Sequence, residues 1–339
     1  MDNRLDIADF LRESSTRVLL DVRSPGEYAQ GHIPGAVSFP LFSDEERALV
    51  GTCYKQQGKE QALELGLELV GPKMAGFIRQ ARQLAPDRRL AVHCWRGGQR
   101  SGSMAWLFRQ AGFEVATLDG GYKKYRRYVL DGFQEIQLNM RVVGGRTGSG
   151  KTKILKELAL LGEQIIDLEG LAHHKGSAFG SIGEIAQPTV EQFENDLFQA
   201  LSALDPQRQV WIENESRSIG RVYIPAPFWE KMRASTLFNV QIPETARIDN
   251  LLQDYVLTDK SELEAAFLRI DKKLGGQHLK AALEALRADD FATAARIALH
   301  YYDKTYQHGL ENNPSSDIRL LEFAHGDPAD IAQQLRGEK

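Results

Sequence analysis

One stretch narrows what this chain can fold into more than any other. Gln137-Leu138-Asn139-Met140-Arg141-Val142-Val143-Gly144 runs into Gly145-Arg146-Thr147-Gly148-Ser149-Gly150-Lys151-Thr152, and an apolar-periodic run follows over residues 153–161. An apolar run, then glycines, then a helical period predicts a strand, a tight loop and a helix in that order. The loop has the form G-x-x-x-x-G-K-T. Gly145, Gly148 and Gly150 let the backbone wrap a diphosphate with its N–H groups. Lys151 supplies a mobile positive charge, and the Thr152 hydroxyl can hold Mg²⁺. Such a unit belongs in an α/β fold with a parallel sheet, at the carboxyl end of a strand.

A second strand–loop–helix junction lies upstream. Leu90-Ala91-Val92 reads as a short buried strand, His93-Cys94-Trp95-Arg96-Gly97-Gly98-Gln99-Arg100 as a loop, and Ser101 opens a helical run through Met104 and Phe108. A thiol at the foot of a helix faces unpaired backbone N–H groups and the positive end of the dipole. Arg96 and Arg100 add charge, which favours the nucleophilic thiolate. Gly97 and Gly98 leave room for a cradle of N–H groups that can hold an anion.

The chain has 339 residues, which suggests two domains, expected at 1–135 and 136–339. Hydrophobic content of 42% and charged content of 26% suit a globular protein with real cores. A net charge of -4 gives no global basic field, so DNA is not an expected partner and any nucleic-acid contact must come from a local patch. Two cysteines make no disulfide framework and fit a reducing compartment. The start lacks the basic and apolar regions of a signal peptide. No stretch approaches ~18 uninterrupted apolar residues, so no membrane partner is expected and the expected location is cytoplasmic.

In the first half, residues 6–11 read as a helix, 17–23 as a buried strand and 37–39 as another, with Pro25 at a helix start and Gly31 at its end. His32 sits in the turn Gly31-His32-Ile33-Pro34-Gly35 and is expected to bond nearby backbone rather than to catalyse. Residues 43–71 form a polar insertion. Its Cys53 is expected to be a small packed residue rather than a resolving thiol for Cys94. Tyr122-Lys123-Lys124-Tyr125-Arg126-Arg127-Tyr128 admits two readings. Lys123, Lys124, Arg126 and Arg127 can neutralise RNA phosphates while the tyrosines stack on bases, or the segment is a solvated helix with its tyrosines packed beneath.

In the second half, strands are expected at 164–169, 209–215, 237–242 and 318–323. Asp167, Glu213 and Glu215 should then crowd the phosphate loop, with Glu213 the best acidic magnesium ligand beside Thr152, or else these carboxylates cap helices or pair with Arg217 and Arg221. Adjacent His173 and His174 lack an obvious third metal ligand and are expected to contact a phosphate or a base. Residues 245–310 are mostly helical and are expected to form a lid or an RNA-facing subdomain.

Asp21-Val22-Arg23-Ser24-Pro25-Gly26-Glu27-Tyr28, Gly31-His32-Ile33-Pro34-Gly35-Ala36, the Cys94 loop and Leu118-Asp119-Gly120-Gly121 resemble the rhodanese-like family over roughly the first 130 residues. The loop departs from the usual sulfurtransferases, which have one residue fewer. Here Cys94 to Arg100 is Cys-x5-Arg, the spacing of phosphatase-like members, and a wider cradle suits a larger chalcogen or an oxyanion. With the phosphate loop and Asp167-Leu168-Glu169-Gly170-Leu171-Ala172-His173-His174-Lys175-Gly176, the whole chain resembles the bacterial tRNA 2-selenouridine synthase family.

That resemblance implies an N-terminal rhodanese-like α/β domain and a C-terminal P-loop NTPase-like α/β domain with a helical extension. It implies tRNAs for lysine, glutamate and glutamine as partners, with the enzyme that supplies selenophosphate as a candidate partner. It implies geranyl transfer from geranyl diphosphate to wobble 2-thiouridine, then replacement of S-geranyl by selenium from selenophosphate, with Mg²⁺ as a candidate companion. Cys94, Arg96, Arg100 and Lys151 would be catalytic. Two alternatives stay open: an ATP-using tRNA sulfurtransferase, and a non-catalytic regulator that senses an oxyanion and a nucleotide.

Overall fold

Each of the two junctions sits on the middle strand of its own all-parallel sheet. This is seen in a computed structural model describing residues 3–255 and 259–338. Residues 1–2, 339 and the 256–258 part of the expected helical region lie outside the described residues. The chain divides into two units, Met1–Gly132 and Phe133–Lys339.

The first unit runs β1 (Arg4–Leu5), α1 (Ile7–Ser14), β2 (Val18–Asp21), α2 (Pro25–Gln30), β3 (Val37–Ser38), α3 (Asp44–Gln56), α4 (Lys59–Val70), α5 (Met74–Leu84), β4 (Arg89–His93), α6 (Gln99–Gln110), β5 (Glu114–Leu118) and α7 (Gly121–Glu135), the division falling within α7. The sheet order is β1-β5-β4-β2-β3, every pair parallel. Leu90, Ala91 and Val92 of β4 are wholly buried, as a strand covered on both faces requires. Phe39, Phe77 and Phe108 pack ring to ring in the core beside it.

The insertion at 43–71 is a pair of helices, α3 and α4. Ser43 and Glu46 form a capping box at the start of α3, and Lys73 pairs with Glu46. No residue of α3 is fully buried, so Cys53 is not the packed residue expected. It is half-exposed, with Gln57 Oε1 3.7 Å from its Sγ, because the helix is mostly polar and is tied down at its start.

The second unit runs β6 (Asn139–Gly145), α8 (Lys151–Leu160), β7 (Gln164–Ile166), α9 (Leu168–Ala172), α10 (Val190–Ser202), β8 (Gln209–Glu213), a small antiparallel hairpin of β9 (Ser218–Ile219) and β10 (Val222–Tyr223), α11 (Ala226–Ala234), β11 (Thr236–Gln241), α12 (Glu244–Tyr255), α13 (Lys260–Arg269), α14 (Asp271–Leu274), α15 (Gly276–Arg287), α16 (Phe291–Glu311), β12 (Ile318–Glu322) and α17 (Pro328–Gly337). Its large sheet has the order β12-β11-β6-β8-β7, all parallel. The β6 strand lies between β11 and β8, the position at which open α/β sheets bind ligands beyond the strand ends.

The strand expected over 164–169 ends at Ile166. The Asp167 carboxylate accepts the Gly170 N–H at 2.7 Å and caps α9, so Leu168 and Glu169 are helical. The described part of 245–310 is helical, and α13, α15 and α16 bury Leu263, Phe267, Leu286, Ala294 and Ala298 in a core of their own. No helix among the described residues is long and apolar enough to cross a membrane.

Candidate functional site

The first candidate site is the loop after β4. Cys94 is 3% exposed. The carbonyls of Cys94 and Trp95 accept the N–H groups of Tyr122 and Lys123 at 2.8 and 2.9 Å, which fastens the loop to the start of α7. Two glycines make that approach possible. Gly97 has φ 64° and a Cβ there would lie 2.4 Å from the Leu118 carbonyl; Gly121 has φ 60° and a Cβ would lie 2.4 Å from the Cys94 carbonyl. The Gly120-Gly121 segment is therefore the floor of the cysteine loop.

Ser101 Oγ lies 3.2 Å from Cys94 Sγ and 3.3 Å from the Gly98 carbonyl. The hydroxyl has one proton for two acceptors. With a thiol it can donate to Gly98 and accept from sulfur; with a thiolate it turns its proton to sulfur. Gly98 caps α6 without a side chain, so the first N–H groups of that helix face the loop unsatisfied by a cap. Arg96 is exposed. Arg100 is held by Glu27 at 2.6 Å through one nitrogen and 3.3 Å through the other. Burial works against both charges, but the pairing outweighs it: the Glu27 carboxyl falls below its ordinary range and the Arg100 guanidinium rises above its own.

His32 is engaged within its turn. Its ring stacks on Tyr28 at 3.9 Å, and Nδ1 is 3.1 Å from the Tyr28 carbonyl. On α7, Tyr122 and Tyr125 are buried, so they are packed beneath the helix and offer no face to a base. Lys123, Lys124 and Arg127 are exposed and Arg126 half-exposed. Lys124 reaches Asp119 at 3.1 Å and Arg127 reaches Asp131 at 2.8 Å.

The second candidate site is the phosphate loop between β6 and α8. Gly148 and Gly150 have φ 82° and 77°, left-handed conformations that side chains resist. The loop is gripped from outside by α12. Arg247 Nε donates to the Thr147 carbonyl at 2.9 Å, and Asn250 Nδ2 donates to the Gly148 carbonyl at 3.0 Å. Arg247 is itself fixed by a two-pronged contact with Asp303 on α16. A cavity of about 1590 Å³, its open mouth included, is lined by the loop, by Lys151 and Thr152, and by Glu169 and Glu215.

The carboxylates here are layered. Thr152 Oγ1 donates to Glu169 Oε2 at 2.6 Å, and the Glu169 N–H donates to Glu213 Oε1 at 2.8 Å. Lys151 Nζ is 3.6 Å from Glu215 Oε1. Burial pulls the Lys151 ammonium down, but Glu215 and Glu169 outweigh it and leave its pKa raised. Burial pushes the Glu215 carboxyl up to about 7, with Lys151 opposing. Glu213 is wholly buried, and that burial, with Asp167 and Glu169 nearby, holds its carboxyl well above the carboxylate range. The acid bonded to the Thr152 hydroxyl is thus Glu169, and Glu213 stands behind it. No group of three or more His, Cys, Asp or Glu among the described residues forms a metal site. The pair Thr152 and Glu169 fits Mg²⁺ bound mainly by phosphate oxygens and water, which needs only one or two protein ligands.

The cavity takes Lys175, Gly176 and Ser177 from the segment after α9, and neither His173 nor His174 lines it. His173 has φ 49°, ends α9 and places Nδ1 3.0 Å from the Ala186 carbonyl. That turn sends His174 inward, where it is 8% exposed and closely faced by Gly180 and Gly220. Burial lowers its pKa. Sequence reasoning missed Glu27, Ser101, Glu169, Arg247 and Asn250 as parts of the two sites. Glu27 and Glu169 stood inside quoted motifs, but nothing local marked Arg247 or Asn250.

Residues 138–338 match a family described as the tRNA 2-selenouridine synthase AAA domain, and residues 6–128 match the rhodanese-like domain. The chain is 37% identical to a tRNA 2-selenouridine synthase of Bdellovibrio bacteriovorus, over 86% of this chain and 89% of that one. It is 40% identical to one of Nitrosomonas europaea over 71% of this chain and 64% of that one. It is 35% identical to one of a Sulfurovum species over 88% and 90%.

Proposed function

The chain belongs to the tRNA 2-selenouridine synthase family, a family of tRNA-modifying transferases, and we propose that it converts wobble 2-thiouridine to 2-selenouridine in two steps. The tRNAs are those for lysine, glutamate and glutamine. Such a substrate sets the cytoplasm as its workplace. The observation that supports two steps is that one chain holds two separate anion cradles, one around Cys94 and one around Lys151, each beyond the central strand of its sheet. Membership in a family of enzymes leaves the regulator reading without support.

In the first step the thiocarbonyl sulfur attacks C1 of geranyl diphosphate. The C1–O bond breaks, diphosphate leaves with the electron pair, and the N3 proton of the base passes to solvent. The backbone N–H groups of residues 145–152 and the Lys151 ammonium stabilise charge as it builds on the diphosphate. Thr152 and Glu169 would hold Mg²⁺, which would supply further neutralisation of the diphosphate charge.

In the second step a selenium nucleophile from selenophosphate adds to C2, and the C2–S bond breaks. The geranyl thiolate leaves and takes a proton; water then takes the phosphoryl group, so that the P–Se bond breaks, phosphate leaves and a proton returns to N3. Alkylation is what makes sulfur a leaving group. Cys94 positions the selenophosphate, with Ser101 and the loop N–H groups holding its negative charge and Arg100 fixed beside them by Glu27. The enzyme that makes selenophosphate is the natural donor partner. Mass spectrometry of nucleosides tests the reading, using 2-thiouridine tRNA incubated with the protein, geranyl diphosphate and selenophosphate. Both S-geranyl-2-thiouridine and 2-selenouridine are expected. A requirement for ATP hydrolysis in the first step would favour the ATP-using sulfurtransferase.

A further inference from the structure

A second cavity opens beside the phosphate loop, its space about 580 Å³ when the open solvent at its mouth is counted. It shares Thr147, Ser177, Leu251, Tyr255 and Tyr302 with the diphosphate cavity, so the two adjoin along these residues. Past that shared rim the walls are hydrocarbon, from Phe179, from Leu252 of α12 and from α13, α15 and α16. Helix α16 runs along both. Thr305 and Tyr306 face the diphosphate cavity, Tyr302 stands at the junction, and Ala298, Ala294 and Phe291 line only the apolar one. At 1.5 Å per residue, Tyr302 to Phe291 spans about 16 Å.

A ligand gripped by the phosphate loop can therefore extend along α16 into a dry slot. A nucleobase there would bury its ring nitrogens and amino group without partners, since the polar side chains stand at the rim. A hydrocarbon tail has no such groups to satisfy. The three alanines Ala294, Ala295 and Ala298 keep the slot open, and Phe291 is the lining residue of α16 farthest from Tyr302.

We propose that this cavity is the tail subsite of the diphosphate substrate, and that Ala298 and Phe291 set the length of prenyl chain accepted. The inference rests on the geranyl-transfer reading, because it takes the substrate to be a prenyl diphosphate. Ala298 lies one helical turn past Tyr302, so a ring placed there blocks the slot after the first isoprene unit. Removing the Phe291 ring extends the slot.

The test measures kcat/KM for transfer to 2-thiouridine tRNA from dimethylallyl, geranyl and farnesyl diphosphates. Ala298→Phe is expected to lower the geranyl value at least about tenfold relative to the dimethylallyl value. Phe291→Ala is expected to raise the farnesyl value about tenfold relative to the geranyl value. Phe291→Ala adds no bulk to the core and decides the matter if Ala298→Phe does not fold. A wild-type enzyme that transfers geranyl, with length ranking unchanged in Phe291→Ala, overturns the subsite and leaves the geranyl-transfer reading standing. A wild-type enzyme that transfers none of the three groups overturns both.

Discussion

Lys151 Nζ lies 3.6 Å from Glu215 Oε1 in the phosphate-loop cavity, and burial pushes that carboxyl up to about 7. The two oppositely charged groups hold each other where an anion has to bind. Below pH 7 the carboxyl is neutral; above it, the carboxylate competes with diphosphate for the lysine. Glu215→Gln is expected to bind inorganic diphosphate about tenfold more tightly than wild type at pH 8. That is a fraction of the ~4 kcal/mol between unit charges at 4 Å and an effective dielectric of 20. The gap should narrow toward pH 6. Isothermal titration calorimetry without added metal reads it, and weaker binding by the variant would show that Glu215 supports the cradle.

Glu213 gives a stability prediction. Its folded-state pKa is raised, chiefly by burial, so the folded chain keeps a proton that the unfolded chain releases near 4.5. Stability from this group is fully present below pH 4.5 and is lost as pH rises through the raised value. Glu213→Gln removes the titration and keeps an acceptor for the Glu169 N–H. Scanning calorimetry should show wild type losing thermal stability from pH 5 to pH 8 more steeply than the variant, each pKa unit being worth about 1.4 kcal/mol. Parallel curves would contradict the assignment.

Glu27 holds Arg100 beside the Cys94 loop. Glu27→Gln removes the charge partner of a half-buried guanidinium, a loss of about 2 kcal/mol or more. Selenation of tRNA supplied already geranylated should slow at least about tenfold, while geranylation proceeds at its normal rate. An unchanged selenation rate would mean that Arg100 takes no part in that step.

Replacing Lys123, Lys124, Arg126 and Arg127 with Gln should weaken tRNA binding and flatten its salt dependence, by up to ~0.9 in log–log slope for each phosphate no longer neutralised. Lys124 and Arg127 already have acidic partners, so the change should fall short of the full effect of all four charges. An unchanged slope would return the cluster to a solvated helix face.

Both strand–loop–helix junctions were legible in the sequence because strand, glycines, charged residue and helix start are contiguous there. What was not legible came from tertiary pairing or from a local competition. Ile165-Ile166-Asp167-Leu168-Glu169 reads as a strand until Asp167 caps a helix, and that turn brings Glu169 rather than Glu213 to Thr152. His173 and His174 suggested a polar contact, yet the left-handed turn at His173 buries its neighbour. Arg247 and Asn250 grip the phosphate loop from a polar helix about a hundred residues away, and no local pattern announces that.

The division of labour between Lys151 and Cys94 is the central claim, and nucleoside mass spectrometry on two variants tests it most directly. Lys151→Ala should slow geranylation roughly ten- to more than a hundred-fold, from a charged hydrogen bond of about 1.5–3 kcal/mol, and still selenate tRNA supplied already geranylated. Cys94→Ser should accumulate S-geranyl-2-thiouridine and form no 2-selenouridine. Normal geranylation by Lys151→Ala, or normal selenation by Cys94→Ser, would contradict it.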